Sequence, residues 1–149
     1  MSDKTVRIGS ASGFWGDTAS AAPALVKGGN IGYLVFDYLA EVTMSILAAQ
    51  KAKDPNAGYA TDFVHITMKS LLPELKAKGI KVVANAGGVN PMACRDALAK
   101  VAADLGVDLK IGVVLGDDLS ARAAEFRERG ITEMFSGAPM PARLLSINA

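Results

Sequence analysis

Four short apolar runs alternate with helical patterns along the chain. The runs lie at Thr5–Ser10, Ile31–Phe36, Ile80–Ala84 and Leu109–Leu115. Between them, apolar residues recur three and four positions apart, which is typical of amphipathic helices. Strands this apolar, alternating with helices, predict an α/β fold. We expect a parallel sheet of about four to five strands with helices on both faces, either complete or as part of a larger α/β domain.

Helix boundary signals divide the rest of the chain. Ser20 fits as the N-cap of the first helix, and Asp62 fits as the cap of a later helix that Pro73 should break or kink. Asn90 followed by Pro91 predicts a strong helix start, because proline is favoured at the first helical position. A final helix is expected from about residue 119 to residue 129.

Composition narrows the class of protein. The chain has 149 residues, half of them hydrophobic, and a net charge of +1. This predicts one globular domain over residues 1–149, with no electrostatic reason to bind nucleic acid or a membrane surface. A single cysteine, Cys94, and a single histidine, His65, exclude a Cys/His zinc site within the chain. We interpret Cys94 as a small core residue, His65 as structural, and the location as cytoplasmic.

Polar residues gather where each predicted strand ends. Ligands bind outside the carboxyl ends of strands in parallel sheets, so these positions predict one site along one edge. The first strand runs into a glycine-rich turn whose residues would close over a substrate or bind an anion: Ser12, Gly13, Trp15, Gly16 and Asp17. The alternative is that the glycines only permit a tight turn, with the aromatic residues packed on the sheet edge.

Asp37 and Glu41 follow the second strand, four residues apart. If both lie in the first turn of a helix they share a face, and two nearby carboxylates suit a general base or a hard cation. The alternative is that Asp37 simply caps the helix. A weaker hypothesis adds Asp117, which follows the fourth strand, to form a divalent-metal site.

The third strand leads into Asn85 and a Gly-Gly loop that opens a helix. Such a loop exposes backbone N–H groups at the positive end of the helix dipole, which suits a phosphate or carboxylate. The predicted anion-binding residues are Gly87, Gly88 and Asn90, with Asn85 orienting the substrate. The alternative is a well-capped helix start that needs no ligand.

Three of these segments together resemble a known family. The phrases S-G-F-W-G-D at residues 12–17, D-Y-L-A-E at 37–41 and N-A-G-G-V-N-P at 85–91 are similar to the N-terminal region of the acyclic terpene utilisation protein A (AtuA) family. The resemblance implies a bacterial protein linked to the catabolism of acyclic terpenes such as citronellol, through branched acyl-CoA intermediates. Because members of the family are longer, it also implies that the C-terminal region is truncated here.

The leading hypothesis for function is an enzyme, or part of one, that acts on an acyl-CoA or carboxylate by lyase- or hydratase-type chemistry. Asp37 or Glu41 would move the proton, and Asn85 would orient the substrate. The resemblance implies no particular cofactor. Expected partners are the small-molecule ligand and either a second copy of the chain or a missing C-terminal chain. The alternatives are a non-catalytic ligand-binding subunit of a larger assembly and a divalent-metal-dependent hydrolase.

Overall fold

A computed structural model describes residues 5–148. They fall into two compact units, the first ending at Val113 and the second beginning at Val114. The first unit holds the sheet and most of the helices. The assignment of the whole chain to one domain stays a prediction.

The sheet of the first unit has three parallel strands in the order β1-β2-β3. They are β1 (Ile8–Ser12), β2 (Tyr33–Phe36) and β3 (Lys81–Ala84). All three run in the same direction, so their carboxyl ends meet at one edge, as the sequence predicted. An irregularity between Ser10 and Ser12 shifts the register of β1 just before the chain leaves the sheet.

Helices connect these strands and follow the last one. The first unit contains α1 (Ala21–Gly28), α2 (Glu41–Lys53), a π-helix (Phe63–Met68), α3 (Lys69–Lys78) and α4 (Pro91–Asp104). Ser20 is the residue before α1, as predicted, but its side chain makes no cap bond. Pro73 does not break its helix, because α3 continues through it.

The core lies on one face of the sheet. Leu34 and Phe36 are buried in a single cluster with side chains of α1, the π-helix, α3 and α4. On the opposite face, Ile8 is 63% and Val83 is 56% exposed. Among the described residues of the first unit, helices cover one face of the sheet, so the predicted cover on both faces is corrected there. When crossovers of one hand add each new strand next to the previous one, all the connecting helices lie on the same side of the sheet.

The predicted fourth strand is also absent from the sheet. Val107, Leu109 and Ile111 pack against the core, while the residues between them are exposed. Burial therefore alternates along this apolar run, but no part of residues 109–115 joins the three-stranded sheet in the described structure. Alternating burial requires only an extended chain over a core, whereas a strand also needs a partner edge. The predicted number of strands, four to five, is thus corrected to three.

Cys94 is a buried core residue, as predicted. Burial raises the pKa of its thiol to about 11. Since the thiolate is the reactive form, we expect Cys94 in the folded protein to react with a disulfide reagent at least about 100-fold more slowly than in the unfolded chain. Absorbance kinetics in buffer and in concentrated urea measure both rates. Similar rates would contradict the buried placement.

The second unit contains the last helical segment of the described residues. The predicted last helix is divided into a 3-10 turn (Ser120–Arg122) and α5 (Ala123–Glu128). The Arg122 guanidinium, together with Arg129, holds the pKa of the Glu125 carboxyl at about 2. Within the part of the chain that the structure describes, no helix is long and apolar enough to cross a bilayer.

Candidate functional site

The carboxyl ends of the three strands are joined by hydrogen bonds. The Ser12 hydroxyl donates to the Asp37 carbonyl at 3.3 Å, and the Asp37 N–H donates back to the Ser12 carbonyl at 3.4 Å. The Asn85 N–H donates to the Phe36 carbonyl at 3.4 Å. The prediction that Ser12, Asp37 and Asn85 converge on one edge is therefore confirmed by direct contacts. We call this edge the rim.

Asn85 connects two neighbouring residues of the rim. Its Nδ2 donates to Asp37 Oδ1 at 2.7 Å, while its Oδ1 accepts the Tyr38 N–H at 2.7 Å. Because a backbone N–H can only donate, the second bond fixes which end of the amide faces Asp37. Asn85 thus holds an exposed carboxylate in a defined position at the end of β2.

Asp37 and Glu41 do not share a helical turn. The helix α2 begins at Glu41, and residues 37–40 form no regular structure, with Ala40 fully extended (φ −143°, ψ 176°). The predicted pairing on one helix face is wrong, and so is the alternative that Asp37 caps the helix. The hydrogen bond from the Asn85 side chain to Asp37 favours an extended backbone after β2 over a helix that begins at Asp37.

The glycine-rich turn is closed by its own side chains. The Gly13 N–H donates to Asp17 Oδ2 at 2.9 Å, so Asp17 holds the turn together from within. The Trp15 indole N–H donates to Asp62 Oδ1 at 2.7 Å. Gly16 is exposed. The turn therefore carries an anchored indole beside the sheet, while its role in binding a ligand stays a prediction.

The Gly-Gly loop is packed and hydrogen-bonded internally. The Gly88 N–H donates to the Asn85 carbonyl at 3.1 Å, and the Asn90 N–H donates to the Gly87 carbonyl at 2.9 Å. A Cβ on Gly88 would lie 2.7 Å from the Gly58 carbonyl oxygen. The glycines thus permit close packing, and the Gly88 and Asn90 N–H groups proposed as anion donors already have partners.

Asn90 precedes α4 but does not cap it. Its Nδ2 donates to the carbonyls of Pro55 and Ala57, both at 2.8 Å, and no side-chain cap bond forms. Lys51 adds a bond from its Nζ to the Val89 carbonyl at 2.6 Å. These contacts tie the loop of residues 85–90 to the segment after α2. The Asn90 side chain therefore offers no acceptor to the first turn of α4, although the Asn90 backbone carbonyl accepts the Cys94 N–H at 3.1 Å.

The metal hypothesis gains no support from the geometry. Asp117 belongs to the second unit, where its Oδ2 accepts a hydrogen bond from Asn148 Nδ2 at 3.0 Å. Over residues 5–148, no three His, Cys, Asp or Glu side chains are placed to hold a metal ion. His65, which we interpreted as structural, is exposed on the π-helix.

The sequence is similar to that of a known protein family. Residues 6–149 match the model of the acyclic terpene utilisation family protein AtuA. This chain belongs to the AtuA family. The resemblance inferred from the three motifs is thereby confirmed, and in this AtuA-family chain each of the three motifs supplies one of the rim residues Ser12, Asp37 and Asn85. No curated protein and no solved structure matches the chain.

Asp62 is a residue of this AtuA-family site that the sequence reasoning missed. It was interpreted as a helix cap because an aspartate before an apolar run usually caps a helix. Its backbone is helical instead (φ −64°, ψ −34°), it makes no cap bond, and its carboxylate binds Trp15. The sequence did contain one signal for this contact. Trp15 is the chain's one tryptophan, and a half-buried indole N–H needs an acceptor such as a carboxylate.

Proposed function

We propose that this AtuA-family chain carries the substrate-binding rim of an enzyme of acyclic terpene catabolism that acts on branched acyl-CoA thioesters or carboxylates. The reaction proposed is of lyase or hydratase type, in the cytoplasm. The observation that carries the proposal is the exposed Asp37 carboxylate, which Asn85 holds at the common end of three parallel strands.

Asp37 is proposed to move the proton. Lyases and hydratases of thioesters remove or add a proton at the carbon next to a carbonyl, and a positioned carboxylate can accept or supply that proton. One oxygen of Asp37 is bonded to Asn85, which leaves the other for substrate. Asn85 is itself held by the Tyr38 N–H, so the carboxylate needs little reorganisation when substrate binds.

The remaining parts of the site follow from the same arrangement. The turn that carries Trp15 would contact the acyl chain. The N–H groups of Met92 and Ala93, in the first turn of α4, replace those of Gly88 and Asn90 as the proposed donors to a carboxylate or thioester oxygen, because the latter are bonded within the loop. Glu41, at the start of α2, remains a proposed second carboxylate of the site. It follows Asp37 by four residues in the sequence, and the proposal includes no contact between the two.

Binding can be tested by amide NMR spectroscopy. Titration with citronelloyl coenzyme A is expected to shift the signals of Gly13, Asp37 and Asn85 and the indole N–H of Trp15. Free coenzyme A is the control and should shift these signals less, since it lacks the acyl group. Thioester-induced shifts confined to residues far from the rim, for example at the end of α4, would contradict the proposal.

A second candidate function is a non-catalytic ligand-binding subunit of a larger assembly. The uncovered face of the sheet favours it, because large apolar side chains such as Ile8 and Val83 are exposed there. Light scattering after size-exclusion chromatography distinguishes the two. A monomer that turns over a branched 2,3-unsaturated or 3-hydroxyacyl-CoA would exclude the non-catalytic role, whereas an oligomer that binds such a thioester without turnover would favour it.

A further inference from the structure

A side-chain hydrogen bond between distant parts of the sequence joins Trp15 to Asp62. The indole Nε1 donates to the carboxylate Oδ1 at 2.7 Å, across 47 residues of sequence and in a partly buried place. A hydrogen bond to a charged acceptor is stronger than one between neutral groups, and a half-buried indole N–H without an acceptor is destabilising. The bond therefore fixes the plane and position of the indole ring.

Asp62 stands at an unusual point of the backbone. It immediately precedes the π-helix Phe63–Met68, a conformation that is rare and is frequent at functional sites. A normal capping aspartate would bond the N–H groups at the start of the helix, whereas Asp62 makes no such bond. Its carboxylate is directed across the fold to the turn after β1 instead.

The same carboxylate also lies near the residue that follows Asp37. Tyr38 packs edge-on against Phe63, with ring centroids 6.1 Å apart. Burial raises the pKa of the Tyr38 hydroxyl, and the negative charge of Asp62 adds to this effect. The Tyr38 N–H is bonded to Asn85, the residue that holds Asp37. Asp62 thus binds the turn that carries Trp15 and acts electrostatically on the hydroxyl of Tyr38, the residue after Asp37.

We infer that Asp62 is a positioning residue of the substrate site, and that it acts by holding the Trp15 indole as one wall for the acyl chain. The inference rests on the proposed function and adds to it the residue that sets this wall. Phe14, next to Trp15, is 57% exposed, so the turn presents aromatic surface that an apolar chain can cover.

The test uses the fluorescence of Trp15, the chain's one tryptophan. Asp62→Ala removes the acceptor, whereas Asp62→Asn keeps an oxygen that can accept the indole N–H. His65→Ala, an exposed position of the same π-helix, is the matched control. Emission maximum and acrylamide quenching are measured without ligand, and the dissociation constant of citronelloyl coenzyme A is then measured by titration.

We expect Asp62→Ala to shift emission to longer wavelength, to increase quenching about twofold and to weaken thioester binding about tenfold, as loss of a charge-assisted hydrogen bond would do. Asp62→Asn should keep most of the wild-type behaviour, and His65→Ala all of it. Wild-type fluorescence and affinity in Asp62→Ala would overturn the inference and leave the proposed function intact. Failure of the wild-type protein to bind the thioester would overturn both.

Discussion

Replacing Asp37 with asparagine is expected to lower turnover of a branched acyl-CoA by about 100-fold or more, because general acid–base catalysis contributes at least that factor. Asparagine has nearly the same shape and still offers an oxygen to the Asn85 amide, so the fold and the Asn85 contact should survive. The measurements are turnover of the thioester by the purified protein and growth on citronellol of a host that depends on the gene carrying this chain.

The matched control is Asp108→Asn, which also removes one negative charge. The Asp108 side chain is 89% exposed. Its carboxylate lies 3.9 Å from the Lys76 ammonium, and such a surface ion pair contributes little to stability. We expect this variant to keep wild-type turnover and growth. Full activity in Asp37→Asn would exclude Asp37 as the group that moves the proton, and equal losses in both variants would point to a general charge effect.

Replacing Gly88 with alanine is expected to destabilise the protein by about 3 kcal/mol. Two causes add. The φ of Gly88 is +54°, a left-handed conformation that costs other residues energy, and a Cβ there would meet Leu47 Cδ1 and, at 2.7 Å, the backbone oxygen of Gly58. A side chain can move away, but the backbone oxygen is held by its bond from the Val89 N–H.

Gly106→Ala separates the two causes. Its φ is +67°, similar to that of Gly88, but an added Cβ would have nothing within 4 Å. We expect it to cost about 1 kcal/mol, from the backbone conformation alone. Urea denaturation followed by circular dichroism measures both free energies of unfolding. Equal costs for the two variants would show that the packing of Gly88 against Gly58 and Leu47 contributes nothing.

The parallel sheet and its shared edge were predictable because apolar runs and helical spacing report burial directly. Three of the four predicted strands form, and Ser12, Asp37 and Asn85 meet as expected. The fourth run, at Leu109–Leu115, shows the limit of this reasoning. Its alternating burial is present up to residue 113, yet side-chain burial does not determine whether the backbone finds a partner strand.

The hydrogen-bond partners of single polar residues were not predictable. Asp62 and Asn90 both have the residue type and position of helix caps, and both bind groups from distant segments instead. Asp37 and Glu41 have helical spacing, but the helix starts only at Glu41. In each case a contact of long sequence separation overrides a local preference of about 1 kcal/mol, and local patterns contain no information about such contacts.

The most direct test of the rim as the substrate site is a crystal structure of the protein with citronelloyl coenzyme A or a non-hydrolysable analogue. We expect ligand density at the carboxyl ends of the strands, with the carbon next to the thioester carbonyl close to the second oxygen of Asp37 and the acyl chain against Trp15. Density at the opposite edge of the sheet, where Ile8, Tyr33 and Lys81 begin their strands, would contradict it.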